Sequence, residues 1–144
     1  MQKILLATDG SIGADRAAAV AADLSKALGA SLTVLTVGGN PNLSREDTQR
    51  LYRAEGAIGE ILDDLSKQVL AQAVERIRQR GVAEAGTQAG WGDPAEVVID
   101  TAREMQTDYV VMGRRGRGRL AGLLLGSVSQ KVATLAPCVV VLVP

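Results

Sequence analysis

Residues 110–132 read VVMGRRGRGRLAGLLLGSVSQKV, and this stretch joins a predicted strand to a predicted helix through a loop rich in glycine and arginine. The apolar segment Asp108–Met112 ends at turn residues, as a buried strand does. A helix is predicted over Ser127–Leu135. Between them, four of the sixteen cationic residues fall within six positions, Arg114 to Arg119. The glycines indicate a backbone shaped around a ligand, and the arginines indicate that this ligand is an anion.

The same alternation of strand and helix runs through the rest of the chain. Short apolar or β-branched runs bounded by turn residues predict five strands, at Ile4–Ala7, Ser31–Val37, 82–89, Asp108–Met112 and Cys138–Val143. The third run is poor, and it is predicted as a strand because the architecture requires one there. Apolar residues at three- and four-residue steps predict four helices, at 17–28, between Ser44 and Arg80, from Asp93 to Met105, and at Ser127–Leu135.

Two local patterns refine the helix predictions. Gly56 and Gly59 weaken the early part of the second helix, so residues 40–60 are predicted as a loop or a broken helix. In the third helix, Asp93 suits the N-cap, Pro94 suits the first helical position, and Glu96 completes a capping box.

Four strand–helix units closed by a fifth strand predict one α/β domain over residues 1–144. The sheet is expected to be doubly wound and parallel, with helices on both faces. If strands 1 and 4 are neighbours, the strand order is 3-2-1-4-5. The turn Thr8–Ser11 then faces the glycine- and arginine-rich loop across one crevice. Ligands bind at such crevices, beyond the carboxyl ends of the strands.

Composition excludes several classes of function. Sixteen acidic residues balance sixteen basic ones, which argues against broad adhesion to nucleic acid or to an anionic membrane. The chain has no histidine, so Ser–His–Asp and Cys–His catalysis and most zinc sites are excluded. Cys138 is the single cysteine. With no apparent signal peptide and no apolar run of membrane-spanning length, we expect a cytoplasmic location.

The glycine spacing points to phosphate. The loop reads Gly113-x2-Gly116-x9-Gly126-Ser127. Glycine permits positive φ and lets backbone N–H groups approach a phosphate closely. Gly126-Ser127 opens a helix, whose free N–H groups and dipole favour an anion. The spacing therefore predicts two phosphate-binding elements.

Several residues also have ordinary structural interpretations. Asp9 could cap a helix or contact a ligand. A loop with Arg114, Arg115, Arg117 and Arg119 could be a solvated surface, and stacking partners for a nucleic acid are absent from it. Trp91 is expected to pack against a helix start, and Cys138 is expected to be a buried strand residue with no basic partner to activate it.

Together these features resemble the ATP-binding branch of the universal stress protein family. The motif G-x2-G-x9-G-[ST] follows an apolar strand ending in Met112-Gly113. ILLATDGS resembles the first strand of the family and its aspartate, GDPAEVVIDTARE its third helix with the preceding turn, and LAPCVVVLVP its last strand. Arg114 departs from the family, in which a small or polar residue commonly follows the first glycine.

The resemblance implies the sheet order 3-2-1-4-5, a homodimer formed partly through the strand Val139–Val143, and an adenine nucleotide in the crevice. By this resemblance Asp9 would contact the adenosine end, and Val37 would offer backbone groups to adenine. The phosphates would lie on the glycine motif. The full set of candidate cofactor-binding residues is Ala7, Thr8, Asp9, Val37, Met112, Gly113, Arg115, Gly116, Gly126, Ser127 and Val128.

The expected function is that of a regulatory or sensor protein of the stress response. It would bind ATP, with or without Mg²⁺, and change its conformation or dimer contacts for an unknown protein partner. The first alternative is a slow ATPase on the same fold, with Asp9 as the nearby carboxylate. The second is a nucleotide-free module that binds a protein or a nucleic acid through the arginine-rich loop.

Overall fold

The computed structural model describes residues 1–38, 56–116 and 125–144. Five strands alternate with four helices along these residues. The strands are β1 (Lys3–Ala7), β2 (Ser31–Gly38), β3 (Gly86–Trp91), β4 (Tyr109–Gly113) and β5 (Val139–Val143). The helices are α1 (Ile12–Leu28), α2 (Gly56–Gln79), α3 (Pro94–Glu104) and α4 (Ser127–Leu135).

The strands form one sheet in the order β3-β2-β1-β4-β5, and each pair of neighbours is parallel. The predicted α/β class and strand order are therefore confirmed. The order reverses between β1 and β4, since β2 and β3 lie on one side of β1 while β4 and β5 lie on the other. This reversal creates a crevice at the carboxyl ends of these two central strands.

The third strand and the second helix differ from their predicted bounds. β3 covers Gly86–Trp91 and not 82–89, because it is an exposed edge strand held by backbone pairing with β2 and has no apolar run to mark it. The helix α2 has already begun at Gly56, so the predicted loop or broken helix does not extend to residue 60. The predicted cap Ser44 lies outside the described residues.

Alternate residues of the central strands enter two separate cores. Ile4 and Leu6 of β1 pack with the alanine-rich side of α1 and with α2, whereas Leu5 and Ala7 pack with α3 and α4. The small side chains of α1 that are buried in this way are Ala14, Ala17, Ala18, Ala21 and Ala22. Burial on both faces explains why the sequences of the central strands β1 and β4 are continuously apolar and do not alternate.

Side chains and glycine fix the ends of the first and third helices. The Oγ of Ser11 accepts the N–H of Ala14 at 3.1 Å, and Gly29 ends α1 in the left-handed conformation with φ 61°. At the start of α3, the Asp93 carboxylate accepts the N–H of Glu96 at 3.0 Å, as predicted. No helix within the described residues has the length and apolar character needed to cross a membrane.

Candidate functional site

A cavity of about 200 Å³ lies beyond the carboxyl ends of β1, β2 and β4. Every residue that the sequence predicts for the site lines this cavity, namely Ala7, Thr8, Asp9, Val37, Met112, Gly113, Arg115, Gly116, Gly126, Ser127 and Val128. The cavity is located where the strand order reverses, as expected for a ligand site in an open parallel sheet. The fold thus brings together residues that are far apart in the chain.

Part of the cavity wall is aliphatic. Leu35 and Val37 of β2, Val98 of α3 and Met112 of β4 line it and belong to the core on the α3 side of the sheet. Pro94, at the first position of α3, also lines the cavity. Such walls suit a flat apolar group, and the backbone at the end of β2 offers hydrogen-bonding groups at its border.

The end of β1 is held in place by hydrogen bonds of its backbone. The N–H of Thr8 donates to the carbonyl of Leu35 at 2.9 Å, and the Thr36 hydroxyl donates to the carbonyl of Thr8 at 2.8 Å. The N–H of Ser11 donates to Oδ1 of Asp9 at 2.9 Å. Since Ser11 is the N-cap of α1, Asp9 does not cap that helix, and its carboxylate lies at the cavity mouth.

The glycines after β4 allow close contact between backbones. A Cβ added to Gly113 would lie 3.1 Å from the carbonyl carbon of Gly13 and 3.3 Å from the nitrogen of Ala14, both in the first turn of α1. A Cβ added to Gly13 would in turn lie 3.0 Å from the carbonyl oxygen of Arg115. A Cβ at Gly116 would overlap Oδ2 of Asp9.

Positive φ is not the reason for the motif glycines. None of Gly113, Gly116 and Gly126 has positive φ. Of the two properties of glycine considered for this loop, positive φ is therefore not used at these three positions. Gly113 packs closely against backbone atoms of α1, whereas at Gly116 an added Cβ would meet the side chain of Asp9. Around Gly126, by contrast, a Cβ would meet its nearest atoms at 3.6 and 3.7 Å, which is ordinary contact.

The start of α4 points its backbone donors at the cavity. Gly126 is the N-cap residue, with extended backbone and no side-chain hydrogen bond to the helix. The first N–H groups of a helix have no acceptor within the helix, so those of Ser127 and Val128 are directed beyond its end. Both residues line the cavity, and Ser127 is exposed. This combination of free donors and helix dipole favours an anion.

A lysine connects the two helices that border the cavity. Nζ of Lys131 in α4 lies 3.3 Å from Oδ2 of Asp93 and 3.4 Å from Oε1 of Glu96 at the start of α3. The hydrogen bond to Asp93, followed by its charge and by Glu96, raises the pKa of Lys131 above its ordinary value. These contacts join the second turn of α4 to the start of α3.

The arginines of the loop have different positions. Arg115 lines the cavity and is exposed, whereas Arg114 is half-buried beyond the end of β4. The N–H of Arg114 donates to the carbonyl of Val143 at 2.7 Å, which continues the pairing of β4 with β5. Arg117 and Arg119 lie outside the described residues.

The two other residues singled out in the sequence, Trp91 and Cys138, have structural roles. Trp91 is the last residue of β3, and its ring lies against Gly38 at the end of β2, where a Cβ would overlap it. Cys138 is half-buried just before β5. Burial raises the pKa of its thiol, with the nearby Asp108 acting in the same direction against a backbone hydrogen bond at Val110. An unreactive thiol is therefore expected.

Sequence reasoning missed residues that shape the cavity from its sides. They include Pro94, Val98 and Ser129, which line the cavity, and Gly13, which lies close to the backbone of Arg115. Each acts through a contact with a distant segment, and no local pattern marks such contacts. Only Ser129 carried a usable signal, since a serine in the first turn of a helix, close behind Gly126, has a hydroxyl that must find an acceptor when it is buried.

Comparison with known proteins matches the whole chain to one family. The sequence profile described as the Universal stress protein family matches residues 1–144. Universal stress protein YxiE of Bacillus subtilis is 34% identical over 145 residues, covering 98% of this chain and 97% of that protein. A universal stress protein of Thermus aquaticus is 39% identical over 147 residues, covering 97% and 96%.

Solved structures of the family have the same fold. A universal stress protein in complex with cAMP superposes with a TM-score of 0.73 at 24% identity, covering 99% of this chain and 97% of that one. The universal stress protein of Archaeoglobus fulgidus in complex with dAMP has a TM-score of 0.65 at 22% identity, covering 100% and 98%. The profile match over the full length and the two relatives show that this chain belongs to the universal stress protein family.

Proposed function

We propose that this protein binds an adenine nucleotide, ATP, in the crevice between β1 and β4, and that it acts as a regulatory or sensor module. The observation that carries the proposal is the uncapped start of α4, which lines a cavity with a partly aliphatic wall. A nucleotide has the matching asymmetry, with a flat base at one end and phosphates at the other. Two structural neighbours are complexes with cAMP and dAMP, which supports the choice of adenine.

In the proposed arrangement the adenine lies among the aliphatic residues and meets the backbone of Val37. Asp9, beside Thr8 and Ala7, contacts the adenosine where it joins the phosphates, since its carboxylate lies close to Gly116. The phosphates lie along Gly113 and Gly116 and against the N–H groups of Ser127 and Val128. Arg115, exposed at the cavity, supplies positive charge to the same end.

Any Mg²⁺ would enter with the phosphates in this proposal. Within residues 1–38, 56–116 and 125–144, no group of three or more histidine, cysteine, aspartate or glutamate side chains could hold a metal ion. Asp9 is the acidic residue that lines the cavity. The phosphate oxygens would therefore provide most ligands of the ion.

A direct backbone connection supports the proposed signalling role. Arg114 is hydrogen-bonded to Val143 in β5 through its N–H and to Gly126 through its carbonyl. Nucleotide bound at Gly126 is thus close to the last strand. If ATP favours one arrangement of the Arg114 segment, it shifts the population of the β5 surface that a partner meets.

We propose that β5 pairs with the same strand of a second copy. The strand lies at one edge of the described sheet, and Val139 is 56% exposed. An apolar edge strand needs to be covered, and pairing of two identical edges gives closed two-fold symmetry. Sedimentation analysis of the wild type and of Val141→Lys tests this. A dimer that the lysine leaves unchanged would contradict pairing through Val139–Val143.

Isothermal titration calorimetry tests nucleotide binding itself. We expect the wild type to bind ATP with one site per chain, in the presence of millimolar Mg²⁺ and in its absence. Adenosine is expected to bind more weakly, because it leaves the N–H groups of α4 unmatched. The absence of heat with both ligands would remove the proposed function.

Slow hydrolysis of ATP stays a prediction for the same site. Asp9 is its proposed carboxylate, and phosphate release that is unaffected by Asp9→Asn would reject that role. The proposed location is the cytoplasm, where a single cysteine remains reduced and ATP is available.

A further inference from the structure

A buried hydroxyl connects the residue after β4 to the start of α4. Ser129 in the first turn of α4 is 2% exposed. Its Oγ donates to the carbonyl oxygen of Arg114 at 2.6 Å, and it lies 3.1 Å from the carbonyl oxygen of Gly126. The N–H of Gly126 donates to the same Arg114 oxygen at 3.0 Å. One carbonyl therefore accepts two hydrogen bonds from the start of α4.

The Arg114 carbonyl belongs to a residue that is hydrogen-bonded to the sheet. The N–H of the same residue donates to the carbonyl of Val143, so its peptide groups continue the β4–β5 pairing. Gly113 on its other side packs against the first turn of α1. When Ser129 and Gly126 bind this carbonyl, they fix the start of α4 relative to the end of β4.

We propose that Ser129 is a positioning residue for the phosphate end of the site. It acts through the Arg114 carbonyl, which sets the distance between Gly116 on one side of the cavity and the N–H groups of Ser127 and Val128 on the other. This inference rests on the proposed function, since it assigns Ser129 a role in binding phosphates. The aliphatic part of the cavity includes Leu35 and Val37 of β2 and Val98 of α3, which lie on other elements than this contact.

The phosphates and the adenine are proposed to bind in different parts of the cavity. A selective effect of Ser129→Ala can therefore be measured by comparing ATP with adenosine. The variant removes one of the two hydrogen bonds to Arg114, while Gly126 keeps the other. We expect the affinity for ATP to fall by about five- to tenfold, as for loss of one buried hydrogen bond. The affinity for adenosine should change by less than about twofold, because adenosine lacks the groups that meet α4.

The same helix offers a matched control. Thr134 donates its hydroxyl to the carbonyl of Gln130 at 2.8 Å on the exposed side of α4. Thr134→Ala also removes a hydroxyl from α4, but far from the cavity, and should leave both affinities unchanged. Ser129→Thr retains a hydroxyl and should restore much of the ATP affinity.

The experiment is calorimetric titration of the wild type and these variants with ATP and with adenosine, with thermal unfolding of each. Amide exchange of Gly126 gives a readout without ligand, and it should become faster in Ser129→Ala. A selective loss of ATP affinity supports the proposal. Equal losses for ATP and adenosine, or no loss, overturn the positioning role while the proposed function stands.

If the wild type binds neither ATP nor adenosine, the proposed function is rejected. The role of Ser129 in phosphate binding is then rejected as well. If Ser129→Ala does not fold, Ser129→Cys replaces it. Its thiol fills the site and donates weakly, so a selective loss of ATP affinity is expected again. An ATP affinity equal to that of the wild type would overturn the proposal.

Discussion

Two helices begin at the same cavity, and they begin differently. At the start of α3, Asp93 accepts the N–H of Glu96 and also pairs with Lys131. At the start of α4, Gly126 supplies no side-chain acceptor. The two N-cap residues nevertheless have similar extended backbones, with φ −67° and ψ 120° at Asp93 and φ −73° and ψ 166° at Gly126.

The similarity of these backbones shows that conformation does not require glycine at the start of α4. A side chain would also fit, because the nearest atoms to an added Cβ are 3.6 Å away. The two helix starts differ in whether the protein supplies an acceptor for their first N–H groups. The start of α3 is satisfied within the protein, whereas that of α4 leaves its donors for another acceptor. In our account, the phosphates of ATP fill that place.

The largest effect is expected from giving α4 the cap that α3 has. In Gly126→Asp, the carboxylate would accept the first N–H groups of α4 and repel phosphate. We predict that ATP affinity falls by more than about tenfold, while the free energy of unfolding stays the same or rises by about 0.5 kcal/mol. Calorimetry and denaturant unfolding measure the two quantities.

Gly126→Ala is the control for this change. It adds a Cβ without an acceptor, so it should bind ATP better than Gly126→Asp and be less stable than that variant. Retention of full ATP affinity by Gly126→Asp would contradict the assignment of the phosphates to the start of α4.

The next largest effect is expected from a change at Gly113, on the cavity wall opposite α4. Ala at position 113 would place its Cβ 3.1 Å from the Gly13 backbone. The loop must then move away from α1, and we predict that Gly113→Ala lowers the stability by about 1–3 kcal/mol. We also expect about tenfold weaker ATP binding, since the loop carries Gly116 and Arg115.

Gly13→Ala tests the same contact from the side of α1. Its Cβ would lie 3.0 Å from the carbonyl oxygen of Arg115, so ATP binding should weaken in parallel. If both variants bind ATP as the wild type does, the close approach of the loop to α1 is not required by the site.

At α3, whose start has a side-chain cap, we predict a smaller effect, and it falls on stability and not on ATP binding. Asp93→Ala removes the N-cap of α3, and it should lower the free energy of unfolding by about 1 kcal/mol. ATP affinity should change by less than about threefold, because the donors of α3 are not assigned to the ligand. If Asp93→Ala loses more ATP affinity than Gly126→Ala does, the assignment of the phosphates to α4 and not to α3 is contradicted.

The smallest effect is expected at the pair between the helices. The pKa of Lys131 is raised above its ordinary value of 10.5 by the hydrogen bond to Asp93. A raised pKa means that the stabilisation is fully present below that value and is lost as the pH rises through the folded-state pKa. The stability difference between the wild type and Lys131→Met should therefore be constant near neutral pH and shrink above about pH 10.5. A difference that grows there would contradict the pairing.

The sequence was sufficient for the central features of the fold. Ile4–Ala7 and Tyr109–Met112 are apolar because both faces of the central strands are buried, and these runs predicted the two strands. That the two strands are neighbours was expected from the turn residues that follow them and from the resemblance. The edge strand β3 was misplaced, because Gly86 to Ala89 are exposed and show no apolar run. The packing of Trp91 on Gly38 is a contact across strands, which no local pattern reveals.

For the site, the spacing of the glycines and the resemblance predicted the residues that surround the cavity, but not the physical reason for each. Gly113 is needed because α1 approaches it, and this depends on the position of Gly13 one hundred residues earlier. The role of the Arg114 carbonyl depends on Ser129 and Val143. Such contacts follow from the arrangement of segments in space and were accessible only from the structure.

The most direct measurement is a titration of the ¹⁵N-labelled protein with ATP and with adenosine, followed by amide NMR. Our account predicts that ATP shifts the amide signals of Ser127, Val128 and Gly116 strongly. Adenosine should shift signals near Val37 but leave those of Ser127 and Val128 nearly unchanged. Saturating ATP binding that leaves the Ser127 and Val128 amides unmoved would contradict the claim that the uncapped start of α4 holds the phosphates.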